Sequence, residues 1–182
     1  MNKIELTSLL SDRALSTPAG RLVRALSEHG GMSSADLARV TGLAKSTVST
    51  TLVELRKSGI VVESVEARPT AAAGVGRPST RLTLNPNAGT CVGILLGLRH
   101  IQVILADVSH AVLSDTTYVM EEDYTPREAL EVVGKAVRSA YVAQGFSIDS
   151  LLGVGVAAAG PVNPRDGRLL RASGLPTWVG VS

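Results

Sequence analysis

The sequence is poor in aromatic residues, in cysteine and in long apolar runs. Aromatic residues make up 3% of the 182 residues, so any core must be built from Val, Leu, Ile and Ala. A single cysteine, Cys91, excludes an internal disulfide and a multi-cysteine metal site, and we expect it to be a small core residue. No apolar run reaches the ~18 residues that span a bilayer. The N-terminus lacks the basic start of a signal peptide, so we expect a cytoplasmic protein.

What is present is a globular composition with an uneven charge distribution. Hydrophobic residues account for 45% of the chain and charged residues for 19%. Up to Asn85 there are eleven Lys and Arg against seven Asp and Glu, a net charge of +4. From Pro86 onward there are seven against nine, a net charge of −2. A basic front half indicates a polyanionic partner, although many solvated faces are basic as well.

Three amphipathic patterns predict helices at residues 17–30, 33–42 and 44–58. The first begins at Thr17-Pro18, a cap followed by proline, and the second is expected to bury Leu37 and Val40. The second and third helices are joined by the short turn Thr41-Gly42-Leu43. A helix-turn-helix needs a small residue where the helices touch, a glycine in the turn and an apolar residue that docks the second helix. Ala38, Gly42 and Val48 have this spacing. An ordinary helical hairpin is the alternative.

The third helix leaves a short polar face at its start. With Val48, Leu52 and Leu55 inward, the outward side chains are one cation and four hydroxyls: Lys45, Ser46, Thr47, Ser49 and Thr50. Hydroxyl residues are poor helix formers, so their clustering lowers the stability of the helix and indicates a functional role. A helix of this kind suits phosphates and base edges in the DNA major groove. A merely solvated polar face is the alternative.

The next segment is typical of a wing. Residues 60–65 and 80–84 have strand composition, and the loop between them, 68–79, is rich in Ala, Gly and Pro. Its tip contains Gly76-Arg77-Pro78, and Arg77 is the group expected to enter a minor groove. Alternatively, Arg77 lies in a solvated loop. We therefore predict a winged helix-turn-helix that binds double-stranded DNA over residues 1–85.

Three further stretches resemble one family. Residues 74–97, GVGRPSTRLTLNPNAGTCVGILLG, are similar to the junction between the winged helix and the second domain in the ROK (repressor, open reading frame, kinase) regulators. Residues 153–169, GVGVAAAGPVNPRDGRL, resemble the second signature of that family, and LPTW at 175–178 resembles its sugar-approaching segment. The resemblance implies an α+β fold. In it the winged helix precedes the first part of an actin-like ATPase lobe, ribonuclease H-like and of ROK sugar-kinase type, at residues 86–182.

The apolar patterning of the second half agrees with that fold. Strands are predicted at 90–97, 100–107 and 111–120, and Thr125 to Glu128 form a capping box at the start of a helix. The helix ends near Gly145, and a buried strand is expected at 151–157. This β-β-β-α-β order matches the opening of an actin-like lobe.

Departures from the family pattern argue against catalysis. In the kinases of this family the phosphate loop carries an Asp and ends in Gly-Thr, whereas this chain has Leu95, Leu98 and Arg99 at the matching positions. We therefore expect no ATP-dependent phosphorylation and no enzyme activity. The resemblance places Gly160, Pro161 and Trp178 near an effector, but Ala159 and Gly174 replace a proline and an asparagine that are usual there.

The resemblance implies a transcriptional regulator, most naturally a repressor of carbohydrate genes relieved by a sugar or sugar phosphate. It would bind a palindromic operator as a homodimer. A sugar kinase with a vestigial DNA-binding extension and a regulator that senses no sugar are the alternatives. No metal site or cofactor is expected in this chain. The family's principal sugar ligands and cysteine-rich zinc motif would lie beyond Ser182, so we expect the chain to be a fragment.

Overall fold

A computed structural model describes residues 6–9, 14–65, 80–171 and 175–181. The chain divides into two compact units. The first comprises residues 1–89 with 108–110, and the second comprises 90–107 with 111–182. Within the described residues no helix is both long enough and apolar enough to cross a membrane.

The first unit consists of helices followed by a strand pair. After the short helix α1 (Leu6–Leu9) come α2 (Pro18–His29), α3 (Ser34–Thr41) and α4 (Lys45–Lys57). Strands β1 (Val61–Val65) and β2 (Thr80–Leu84) then pair antiparallel, with Val61 opposite Leu84. The predicted helices and both predicted wing strands are thus confirmed, whereas the loop that joins the strands lies outside the described residues.

The core of the first unit is aliphatic, as the shortage of aromatic residues requires. Leu22, Leu37, Leu55, Val48 and Val61 are all less than 2% exposed, and they come from all three long helices and from β1. Burial of this kind contributes roughly 1.5–3 kcal/mol per large aliphatic side chain. Helix α4 is therefore held mainly by the packing of its inner face.

The expectation that α3 buries Val40 is wrong, because Val40 is 43% exposed. Thr41, four residues after Leu37, continues the inward face in its place and is only 7% exposed. Its hydroxyl donates a hydrogen bond to the Leu37 carbonyl oxygen, so the buried hydroxyl has a partner. The hydrogen-bonded Thr41 therefore occupies the buried position on α3, and the neighbouring Val40 lies at the edge of the core.

The second unit is a four-stranded sheet with one covering helix. Strands β3 (Thr90–Leu96), β4 (His100–Asp107) and β5 (Val112–Val119) run antiparallel, and β6 (Leu151–Ala158) lies parallel to β3, in the order β5-β4-β3-β6. Helix α5 (Pro126–Gln144) makes the crossover that a parallel pair needs. The buried side chains of β3, β4 and α5 form one core: Val92, Leu96, Ile101, Val103, Leu105, Ala129, Ala136 and Tyr141.

Two burial predictions for this sheet are wrong. Strand β6 is not buried, since Val154 is 53% exposed and Val156 60% exposed. Helix α5 packs mainly against β4 and β5, and most of the edge strand β6 is exposed. Cys91 is exposed rather than a core residue. It alternates with the buried Val92 and therefore points to the opposite face of β3.

The chain after β6 folds back onto the same core. Val162 and Leu169 form an isolated antiparallel bridge, and a 3₁₀ turn covers Pro176–Trp178. Leu169, Leu175 and Trp178 are all buried in the cluster formed by the sheet and α5. The segment that resembles the family's second signature is thus anchored by apolar side chains.

Candidate nucleic-acid interface

The turn between α3 and α4 has the geometry that its sequence predicts. Gly42 ends α3 in the left-handed conformation, with φ 65° and ψ 18°, which glycine adopts without strain. The Arg21 guanidinium of α2 donates a hydrogen bond to the Thr41 carbonyl oxygen at this end of α3. A cation is favourable at a helix C-terminus, so Arg21 ties α2 to the turn that positions α4. Sequence reasoning did not single out Arg21.

The residues expected to face DNA lie on the outer side of the first two turns of α4. Val48, Thr51, Leu52 and Leu55 form the buried side of the helix. Thr47 is half-buried at the boundary, and the other four predicted residues are exposed: Lys45, Ser46, Ser49 and Thr50. The structure thus brings one ammonium group and three exposed hydroxyls together on a single convex face.

The start of α4 carries no side-chain cap. Its N-cap residue is Ala44, in an extended conformation, which has no oxygen to accept a hydrogen bond from the first turn. In contrast, the Thr17 hydroxyl accepts from the Gly20 amide at the start of α2, and the Ser33 hydroxyl accepts from the Asp36 amide at the start of α3. The first-turn amides of α4 and the positive end of its dipole are therefore available to an external anion.

The cations of this unit differ in whether an acid neutralises them. Arg24 pairs with Glu28, Arg39 with Asp36, and Arg56 with Glu63, at N–O distances of 2.7, 3.0 and 2.6 Å. The Ser33 hydroxyl, followed by Arg39, lowers the pKa of the Asp36 carboxyl.

Among the described residues no acid forms an ion pair with Lys45 or Lys57, the first and last residues of α4. Uncompensated positive charge thus lies at both ends of the exposed face.

The remaining predicted DNA contact, Arg77, lies outside the described residues. The paired strands β1 and β2 bring the two ends of its loop together, because Val65 is opposite Thr80. The assignment of Arg77 to a minor groove stays a prediction.

The three residues suggested for an effector differ in their surroundings. Gly160 and Pro161 are exposed, and a β-carbon on Gly160 would lie 2.1 Å from the Arg171 carbonyl oxygen, so only glycine fits there. Trp178 is buried, its indole N–H donates to the Tyr124 carbonyl oxygen at 2.9 Å, and the two rings meet edge to face at 5.7 Å. Trp178 thus has a clear packing role in this unit.

The position of the kinase phosphate loop is occupied by a tight strand turn. Gly97 to Arg99 join β3 to β4, and the Gly97 carbonyl oxygen accepts a hydrogen bond from the Tyr124 hydroxyl at 2.8 Å. Arg99 pairs with Glu122 at 2.5 Å. Within the described parts of the chain, no three His, Cys, Asp or Glu residues lie close enough together to hold a metal ion.

Together these observations define a class of protein, a winged helix-turn-helix joined to an α+β unit with the β-β-β-α-β order expected for the opening of an actin-like lobe. Comparison with known proteins agrees. The MarR family profile matches residues 15–69. The xylose repressor of Bacillus subtilis (strain 168) is 28% identical over 142 residues, and that of Bacillus spizizenii (strain ATCC 23059 / NRRL B-14472 / W23) is 26% identical over 142 residues. Each alignment covers 78% of this chain and 36% of the relative.

The xylose repressor of Caldicellulosiruptor bescii is 26% identical over 145 residues, covering 80% of this chain and 35% of the relative. A crystal structure described as a ROK family transcriptional regulator, homolog of E. coli MLC protein, superposes with a TM-score of 0.56. It is 21% identical and covers 88% of this chain and 39% of that one. The resemblance to the N-terminal portion of ROK transcriptional regulators is thereby confirmed, together with the fold class. The chain spans little more than a third of the length of these relatives.

Proposed function

We propose that this chain is the DNA-binding portion of a transcriptional regulator and that α4 enters the major groove of double-stranded DNA. The observation that carries the proposal is the start of α4, where an uncapped helix end, the unneutralised Lys45 and a face of exposed hydroxyls coincide. None of these features stabilises the folded chain, and each of them can bind a polyanion such as DNA.

In this arrangement the groups at the start of α4 contact different parts of the DNA. A phosphate lies at the first-turn amides of α4 beside Lys45, which fixes the position of the helix without reading sequence. The hydroxyls of Ser46, Ser49 and Thr50 reach base edges, since hydroxyls both donate and accept. Thr47 supports this face from the boundary of the core, and Arg77 on the wing contacts the minor groove.

We further propose that the whole protein is a repressor of carbohydrate genes, binds a palindromic operator as a homodimer and is released by a sugar. Support comes from the curated relatives, which are named xylose repressors. The second unit would be the first part of the sensing lobe, with Gly160, Pro161 and Trp178 near the effector. A sugar acts by favouring an arrangement in which the two winged helices no longer match the half-site spacing.

We propose no phosphoryl transfer by this chain. Leu95 on β3 offers no carboxylate where the kinases organise a metal, and Arg99 is already paired with Glu122. Sensing is therefore the role proposed for the second unit.

The test is binding of the 182-residue chain to duplex DNA, first selected from a random library and then measured by gel shift. We expect affinity that falls steeply with added salt, and a large loss when Lys45→Ala and Arg77→Ala are combined. Lys135→Ala, an exposed lysine of α5, is the matched control and should change nothing. Unchanged affinity in the double variant would refute the site. Calorimetry of the complete protein with xylose tests the sensing role separately.

A further inference from the structure

An exposed valine lies on the outer face of α4, among the groups that sequence reasoning assigned to DNA. Val53 is 49% exposed, although it belongs to the same helix as the buried Val48 and Leu52. It lies four residues after Ser49, three after Thr50 and four before Lys57. In a helix with 3.6 residues per turn these spacings place all four side chains on one side.

The composition of this face makes Val53 unusual for a solvated position. A β-branched residue loses rotamer freedom in a helix, so a half-exposed valine here lowers helix propensity. The neighbouring exposed positions toward the end of α4 are charged, namely Glu54, Arg56 and Lys57. An isolated exposed apolar residue is common on proteins. This one, however, continues the stripe of Ser46, Ser49 and Thr50 by one further turn.

We propose that Val53 is a specificity-determining residue, which contacts the 5-methyl group of a thymine in the major groove. This rests on the proposed function, because it requires α4 to lie in that groove. The 5-methyl group is the one apolar feature that a base pair presents on the major-groove side, and small apolar side chains are its complement. The hydroxyls of Ser49 and Thr50 then read polar base edges one turn earlier in the helix.

The charges at the two ends of α4 support this placement. Lys45 and Lys57 begin and end the helix, and neither forms an ion pair within the described residues. They are twelve residues apart, about 18 Å along the axis, and the major groove is about 12 Å wide. Two flexible lysines at that separation can reach phosphates on both sides of the groove. Val53, between them, is then directed at the base pairs.

The experiment is a double-substitution cycle on the 182-residue chain and a duplex obtained by selection from a random library. Each thymine of the selected duplex is replaced in turn by deoxyuridine, which lacks only the 5-methyl group. At one thymine per half-site we expect about a fourfold loss of affinity, the value of one buried methyl-sized group. Val53→Ala should cause a similar loss with the thymine duplex and little further loss with the deoxyuridine duplex.

The controls separate this contact from folding and from DNA binding in general. Val53→Ala improves helix propensity, so the thermal midpoint of the variant should stay equal or rise. Val40→Ala, at a valine of similar exposure on α3, should leave the deoxyuridine effect at its full size. If every deoxyuridine replacement lowers the affinity of wild type and Val53→Ala alike, Val53 does not read a methyl group, although the chain still binds DNA. If selection enriches no duplex, the proposed function itself fails.

Discussion

Helices α4 and α5 start in opposite ways, and the difference is the one expected between the recognition helix proposed above and a purely structural helix. At the start of α5 the Thr125 hydroxyl accepts from the Glu128 amide at 3.3 Å, and the Thr125 amide donates to the Glu128 carboxylate at 2.7 Å, which completes a capping box. Helix α4 starts at Ala44 with no side-chain cap. The first turn of α5 is capped by its own side chains, whereas the first turn of α4 has no side-chain acceptor.

The difference has a measurable size. A Ser, Thr or Asp at the N-cap stabilises a helix by about 1 kcal/mol relative to Ala. Helix α4 gives up this amount and also carries Ser and Thr residues that are poor helix formers. Its position therefore depends on the inner side chains Val48, Leu52 and Leu55.

Removing one of those inner side chains should have the largest effect on stability. Leu55 is fully buried, so Leu55→Ala leaves a cavity, and we expect the free energy of unfolding to fall by about 2–5 kcal/mol in urea titrations. The matched control is Leu130→Ala on α5, where the leucine is 72% exposed and the change should stay within about 0.5 kcal/mol. Similar values for the two variants would show that α4 is not held by packing.

Giving α4 the cap that it lacks should move stability and DNA affinity in opposite directions. Ala44→Asp supplies an N-cap acceptor, so we expect the free energy of unfolding to rise by about 1 kcal/mol. The same carboxylate repels a phosphate at the helix start, so affinity for a selected duplex should fall about tenfold. Ala44→Ser adds the cap without the charge and should lose less affinity. A gain in both properties would contradict a phosphate at this position.

Removing the cap of α5 should change stability only. Thr125→Ala deletes the hydroxyl of the capping box, and we expect the free energy of unfolding to fall by about 1 kcal/mol. Affinity for the selected duplex should remain within twofold, because α5 belongs to the other unit. A parallel loss of affinity would mean that the cap also supports DNA binding.

The same cap predicts a small effect of acid. Hydrogen bonds from the Thr125 amide and then from its hydroxyl lower the pKa of the Glu128 carboxyl below its usual value near 4.5. The carboxylate therefore contributes stability above that usual value, and the contribution is lost as the pH falls through the lowered pKa. Glu128→Gln should be less stable than wild type at pH 7, and the two should converge as the pH is lowered below the usual carboxyl pKa near 4.5. A difference that is independent of pH would rule out this carboxylate as the source.

The element boundaries were predictable from the sequence because short-range chemistry fixes them. Thr17-Pro18 and Thr125-Pro126 mark the starts of α2 and α5, and the glycine in the turn marks the end of α3. Strand β4 was predicted to the residue. These signals lie within a few residues of the feature that they determine.

Burial was less predictable, because it depends on what covers each face. The apolar composition of β6 and the small apolar side chain of Cys91 both indicated a core, yet most of β6 and Cys91 are exposed. The burial of Val40 was predicted wrongly for a related reason. Thr41 occupies the inner position of α3, because its hydroxyl is hydrogen-bonded to the Leu37 carbonyl oxygen. Val53 was not predicted, because its apolar side chain differs from the lysine and hydroxyl residues that marked the start of α4. Its signal was the spacing from Ser49.

The central claim, that the start of α4 meets DNA phosphate while the start of α5 does not, can be tested by nuclear magnetic resonance. A selected duplex is titrated into the ¹⁵N-labelled 182-residue chain, and the backbone amides of both helix starts are followed. We expect large shifts at Ser46 and Thr47 and none beyond error at Arg127 and Glu128. Shifts confined to the second unit, or equal at both helix starts, would contradict the account.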